Sequence, residues 1–259
     1  MSPERTERVT ATIICFNEET NIREALESVK WCDEIVVVDS FSTDRTVEIS
    51  REYTDRIFQR TWPGFVEQKA FALAQVRTPW VLNLDADERV SPALRSEAES
   101  VLCDPRADGY YVPRLVYYLG RWWWRGGWYP DYRLRLFRRD HAVWGGMDPH
   151  EKVVLRGRTV RLRGPLLHFT YRDTAAHLAT INAFTGVAVR ELRLRGRKAS
   201  LLDMIVRPAW RFVRFYVVRR GFLEGIAGLF ASQTAAFYVF TKYAKLWESR
   251  RTTSTRPAS

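Results

Sequence analysis

An α/β fold is what this sequence predicts: a mostly parallel sheet flanked by helices, followed by a basic amphipathic helical extension. Three observations predict it. Apolar runs alternate with helical periodicities through the first hundred residues, acids stand where those runs end, and the excess charge gathers near the C-terminus.

The run VTATIIC, residues 9–15, is continuous and apolar, as suits a strand covered on both faces. It ends in Phe16, Asn17, Glu18 and Glu19, after which Ile22, Leu26 and Val29 recur at helical spacing. Residues 34–38 form a second strand ending at Asp39. The Ser/Thr/Asp-rich loop 40–44 caps a helix over about 45–53. A short strand at 56–59 and a helix over 64–76 follow, then the apolar run 80–84. Ser91 and Pro92 open another helix, with serine as cap and proline at the first position. Such alternation implies right-handed βαβ units.

The segment LNLDADE, residues 82–88, presents Asp85 and Asp87 at the end of a buried strand. Strand alternation puts both carboxylates on one side, so they can converge on one hard cation. Magnesium or manganese held by one or two carboxylates takes further ligands from substrate phosphates. Open α/β sheets bind ligands at this edge, so Asp39 and Asp85 share one crevice. The bland alternative is a solvated turn.

In this order, the runs TATIICFNEETNIREALESV, EIVVVDSFSTDRTVEI and QKAFALAQVRTPWVLNLDADERVSP resemble the nucleotide-binding half of family 2 glycosyltransferases with the GT-A fold. Within that family the chain is similar to small bacterial enzymes that add glucose to the lipopolysaccharide inner core. The resemblance is strong over residues 8–105 and weaker through His150 and Glu151 into the tail.

The resemblance implies a role for each candidate residue. The backbone at Cys15 to Asn17, with Glu18, lines the base and ribose pocket. Asp39 accepts hydrogen bonds from uracil or ribose, Lys69 faces the diphosphate, Asp85 touches the ribose or the metal, and Asp87 binds the metal. Against these stand plainer roles: Asp39 as a helix cap, Lys69 on a solvated face, Glu18 and Glu19 as first-turn acids. The family's base is the second member of an acidic pair, matched here by His150 and Glu151. Glu151 is therefore the expected base, with Asp148 the alternative. Asp148 has no counterpart in the family's pattern, and His150 orients the carboxylate or lines the acceptor pocket. His168 either reaches back to the metal or diphosphate or is a satisfied core histidine. His141 and His177 read as surface residues.

The implied activity is metal-dependent, inverting transfer of a sugar, glucose, from a UDP-sugar to a membrane-exposed acceptor. Lipopolysaccharide core or another lipid-linked saccharide fits, with Mg2+ or Mn2+ as cofactor. Two alternatives differ in class. A nucleotidyltransferase would carry a Gly-rich first loop, where this chain has Phe16-Asn17-Glu18-Glu19. A non-catalytic sugar-nucleotide-binding membrane adaptor would not need Asp39, Lys69, Asp85, Asp87 and Glu151 together.

Residues 117–130 concentrate Tyr, Trp and Arg, suited to stacking on sugar rings or settling at a membrane interface, or else to closing the core. The net charge of +11 lies entirely after residue 189, where fifteen Lys/Arg face four Asp/Glu. There Arg207, Arg211, Arg214, Arg219 and Arg220 interleave with aliphatic and aromatic residues, as in an interfacial helix on anionic lipid. Residues 225–240 are uncharged but short for a span. The expected plan is a catalytic domain over 1–172, divided into a nucleotide-sugar half, 8–105, and an acceptor half, 106–172. A membrane-associating helical extension over 173–250, open to oligomer contacts, and a disordered tail, 251–259, complete it. Nothing resembles a nucleic-acid motif. Three cysteines without metal-ligand spacing and no export signal lead one to expect a cytoplasmic protein, and the resemblance together with the basic tail implies a peripheral position on the inner face of the bacterial cytoplasmic membrane.

Overall fold

The computed structural model describes residues 6–147 and 150–251. Asp148 and residues 252–259 of the expected disordered tail lie outside the described residues, and at His150 only the backbone is described. The chain divides into two compact units, Met1–Val116 with Pro130–Thr170, and Tyr117–Tyr129 with Tyr171–Ser259.

The first unit opens with β1 (Val9–Cys15), α1 (Ile22–Ser28), β2 (Glu34–Asp39), α2 (Thr46–Arg51), β3 (Ile57–Gln59), α3 (Phe65–Ala74) and β4 (Trp80–Asp85). Next come β5 (Glu88–Val90), α4 (Pro92–Cys103) and β6 (Gly109–Tyr118), whose last two residues belong to the second unit, as does β7 (Arg121–Trp123). The first unit resumes with β8 (Asp131–Arg138), β9 (Ala142–Met147), β10 (His150–Leu155), β11 (Thr159–Arg161) and β12 (Leu166–Phe169).

The main sheet has the order β3-β2-β1-β4-β8-β6-β12-β5, and β9 pairs with β10 in a separate ribbon. Strands β1 to β4 pair in parallel, and β8 lies antiparallel between β4 and β6. Every residue of β1 is buried because the strand is covered on both faces. Val9, Ala11 and Ile13 pack with Leu26 and Leu102, while Ile14, Val36 and Val38 meet Ala72 of α3. Ser91 accepts a 3.1 Å hydrogen bond from the Leu94 amide, and Pro92 follows it, so α4 starts where the sequence marks it.

Two local expectations give way. Alternation in DYRLRLFR reads as a half-exposed strand, yet Leu134, Arg135, Leu136 and Phe137 are all buried, because β8 is covered on both faces, Leu136 packing in one apolar cluster and Leu134 with Phe137 in another. Strand β4 stops at Asp85 and a turn carries Asp87, so strand alternation does not govern the second acid.

The second unit holds α5 (Thr174–Leu194), α6 (Leu201–Val213) and α7 (Gly225–Arg251). Leu119 and Gly120 turn the chain into β7 with φ of 53° and 73°, the paired left-handed values of a tight hairpin. Asp173 caps α5, and Ser200 with Asp203 forms a capping box on α6. Among the described residues, no helix is long and apolar enough to cross a membrane.

Gly164 is the tightest approach onto α4: a Cβ there would lie 2.5 Å from the backbone N and Cα of Leu94. Gly164→Ala should cost about 1–3 kcal/mol in urea unfolding, as overpacking against backbone does. An unchanged midpoint would show that α4 yields at that point.

Candidate active site

The parallel registers align the strand ends into one row. Cys15 pairs with Asp39, Ile14 with Asp85, and Asp39 with Gln59. Asp39 is fully buried, and its Oδ2 accepts from the Ser42 amide at 3.0 Å and from Gln59 Nε2 at 2.9 Å. Its Oδ1 accepts from the Ser42 hydroxyl. Asp39 is thus no helix cap; Asp44 takes the Thr46 amide at the start of α2. Burial, then the neighbouring Asp39, pushes the Cys15 thiol far above the usual range, so it stays protonated.

Asn17 sits at φ 53°, a left-handed conformation that asparagine tolerates. Its side chain accepts from the Thr43 amide at 2.8 Å and its own amide donates to Ser42 Oγ, tying two strand-end loops together. Glu18 accepts from Asn21, and burial raises its carboxyl above the ordinary value. Phe16 and Phe41 are 54% and 53% exposed beside these loops. Phe41 also holds φ 62°, a strained value for a bulky residue. The sequence reading assigned neither ring a role, since apolar residues at strand ends resemble core.

Beyond this row, charges alternate in sign. Lys69 on α3, only 2% exposed, donates to Glu151 Oε1 on β10 and to Asp85 Oδ1 on β4, each at 2.8 Å. Asp85 Oδ2 meets Arg135 Nη2 of β8 at 2.6 Å, and the same nitrogen lies 2.6 Å from Glu88 Oε1. Arg114 of β6 stands 3.6 Å from Glu88 and 2.7 Å from Asp131. Burial would raise the Asp85 carboxyl, but Arg135 and then Lys69 hold it well below its ordinary value of 3.8. Burial opposes the Arg135 charge, yet Asp85 and then Glu88 raise its pKa. The ring of Trp144 lies 5.1 Å from the Lys69 ammonium. Arg135 and Glu88 escaped the sequence reading. The first sat in an apparently alternating strand and the second beside a more conspicuous pair of acids.

Asp87 and His168 form a second pair, with Asp87 Oδ2 and His168 Nε2 3.0 Å apart. His168 is nearly buried and its Nδ1 has no hydrogen-bond partner among the described residues. One carboxylate oxygen beside one imidazole nitrogen fits two positions of a divalent cation, leaving the rest for phosphate oxygens and water. Asp85 has both oxygens on cations instead. Among the described residues, no three or more His, Cys, Asp or Glu are grouped to hold a metal by themselves. Asp148, the alternative base, and the His150 side chain lie outside what is described; the expected base Glu151 is the residue that Lys69 meets.

His177 corrects the sequence reading. In the second unit it is buried, stacks on Tyr171 with centroids 4.2 Å apart, and shares a 3.0 Å hydrogen bond with Tyr118. Burial pulls its pKa down to about 4, so it is neutral. It sits on the inner face of α5 beside Ile181 and Thr185, a helical spacing that would have flagged it.

The model of the family described as glycosyl transferase family 2 matches residues 10–158. The chain is 32% identical over 262 residues to the lipopolysaccharide core biosynthesis glycosyltransferase LpsC of Rhizobium meliloti (strain 1021), covering 96% of this chain and 95% of that protein. An uncharacterized glycosyltransferase of Rickettsia bellii (strain RML369-C) is 30% identical, covering 96% of this chain and 89% of its own length. Among solved structures, the mannosyltransferase PcManGT of Pyrobaculum calidifontis, in complex with GDP-Man and Mn2+, is similar with a TM-score of 0.53. That likeness covers 96% of this chain and 90% of that one at 16% identity, and it is a likeness of fold.

Arg135→Met leaves Asp85 and Glu88 short of their shared cation and should cost about 3–5 kcal/mol of stability. Asp85 binds its proton less readily folded than unfolded, so its contribution is full above its ordinary value of 3.8 and fades as pH falls through it. Urea midpoints should therefore hold from neutral pH down to about pH 4 and fall progressively below it. A midpoint unaffected by Arg135→Met would remove Arg135 as the pivot of the row.

Proposed function

We propose, from the premise that this chain belongs to glycosyl transferase family 2 and has the GT-A fold, that it moves glucose from UDP-glucose, with inversion, onto a lipid-linked saccharide. The acceptor is lipopolysaccharide core or a close relative of it, and the reaction depends on Mg2+ or Mn2+. The observation that carries this reading is the Lys69 ammonium bridging Asp85 and Glu151 at the carboxyl edge of the sheet.

Each residue then has a task. The uracil and ribose lie over the ends of β1 and β2, against Asp39 and its Ser42 and Gln59 partners, with Phe16 and Phe41 offering ring faces. Asp85, held between Lys69 and Arg135, orients the ribose side of the donor. Asp87 and His168 hold the cation, which when bound offsets the charge of the departing diphosphate. Lys69 adds a compact positive charge on the same side. Glu151 takes the proton of the acceptor hydroxyl while Lys69, on its Oε1, fixes the direction of the carboxylate. Asp148 remains the other candidate for that step.

The acceptor class draws support from the name of the Rhizobium meliloti relative and from the second unit. Leu201, Leu202, Ile205 and Trp210 are exposed along α6, and Ile226 at the start of α7 is 87% exposed. Arg214, Arg219 and Arg220 are exposed close by in sequence. Large apolar side chains in water beside arginines suit an anionic membrane surface, peripheral and on the cytoplasmic side.

Glu151→Gln should lower sugar transfer by about 10²–10⁴-fold, the usual contribution of a general base, while UDP binding persists. Calorimetric titration of UDP with and without Mn2+ should show a metal-dependent component that Asp87→Asn and His168→Asn each abolish. Retained turnover in the Glu151 variant would pass the role to Asp148, and preference for GDP over UDP would change the donor. Ile205→Glu with Trp210→Glu should reduce cosedimentation with phosphatidylglycerol vesicles; undiminished binding would remove α6 as the membrane face.

A further inference from the structure

Helix α6 turns its apolar side chains outward and an arginine inward. Pro208 is buried and Arg211, one turn on, is half-buried, whereas Leu201, Leu202, Ile205 and Trp210 face solvent. The sequence pattern reads Arg211 as one more interfacial arginine; the structure gives it a different setting. Its Nε is buried and has no hydrogen-bond partner among the described residues, and the same holds for the indole Nε1 of Trp128.

Arg211 and Trp128 both line one cavity of about 170 Å³ in the second unit, whose walls include Tyr171, His177, Phe184 and Tyr238. That space far exceeds the ~30 Å³ share of one water but falls short of the ~300 Å³ at which drug-sized pockets begin. It has room for a single charged group with a small body attached.

The electrostatics say what sign that group has. Burial, then Arg214 and Arg219, disfavours the Arg211 charge. Burial, then Arg207 and Arg211, likewise pulls the Lys242 ammonium down. The acids nearest Arg211 in sequence are committed elsewhere, Asp203 to Arg207 and Glu224 to Arg121. His177 is neutral and adds no positive charge of its own. Phe215 covers the guanidinium at 4.8 Å without satisfying its N–H groups. A buried donor left unmade is costly, and a partly desolvated cation without an anion adds to that. Two such donors on residues that line one cavity are satisfied together when an oxyanion enters it.

We propose that this cavity of the C-terminal helical unit binds a phosphate group through the guanidinium of Arg211 and the indole N–H of Trp128. The planar fork of arginine matches phosphate oxygens in pairs, and the nearby Arg214 and Arg219 favour a group of high charge. None of these residues belongs to the Glu151–Lys69–Asp85 row, so the site stands or falls apart from the transferase reading.

The test uses the full chain with UDP and Mn2+ present, so that donor-site binding does not intrude. Inorganic phosphate titrated calorimetrically should bind wild type. Arg211→Met should weaken it by at least about tenfold, the loss of one charge-assisted hydrogen bond. Trp128→Phe, which keeps the ring and removes only the N–H, should weaken it less. The Tm of Arg211→Met without phosphate should not fall, because an unpaired buried charge has gone, and UDP affinity should be unchanged. Phosphatidylglycerol vesicles that displace phosphate, where phosphatidylcholine vesicles do not, would assign the group to a lipid headgroup. Failure to displace would assign it to a soluble phosphate. Wild-type affinity in both variants, or no binding of either probe by wild type, would overturn the site.

Discussion

The structure of the first unit depends on a buried row of alternating charges: Glu151, Lys69, Asp85, Arg135, Glu88, Arg114 and Asp131. Its members come from β10, α3, β4, the start of β5, β6 and β8, so elements far apart in sequence meet there. Taking such groups out of water is costly, and a single pair would barely repay it. In a row each interior charge is shared by two of opposite sign, and the cost falls on the whole set if one member leaves. Arg135 shows this best, because one of its nitrogens meets both Asp85 and Glu88 while the other reaches Asn83. The row also joins the carboxyl ends of the parallel strands to the ribbon that carries Glu151.

The parallel half of the fold was legible because its signals are local. Strands β1, β2 and β4 are apolar runs of the right length, Ser91 and Pro92 mark a helix start, and Asp39 and Asp85 end their strands. Lys69 and Glu151 were legible through family resemblance; their 2.8 Å contact, across eighty-two positions, was not. Arg135 stayed hidden because burial of β8 follows from the apolar clusters that cover both of its faces, a non-local fact that periodicity within eight residues cannot reveal. Arg211 was hidden for the same reason. A helix shows its stripe in sequence, but which stripe faces inward is decided by the neighbouring helices.

The second unit inverts the usual arrangement on α6, and that inversion links its two proposed roles. Apolar residues left in water lower their free energy at a lipid surface. Arg211, held on the opposite side with its Nε–H unmet, does so by taking up an anion in the proposal made above.

The central claim is that Lys69 and Glu151 act as one device, the ammonium directing the carboxylate that accepts the acceptor's proton. A double-mutant cycle on kcat/KM, with Lys69→Met, Glu151→Gln and the two combined, tests it most directly. The account predicts strong non-additivity: once Glu151 is lost, removing Lys69 costs much less than it does in wild type, with a coupling of about 1–3 kcal/mol. Additive losses would show that Lys69 serves the donor alone and that the contact with Glu151 is incidental to catalysis.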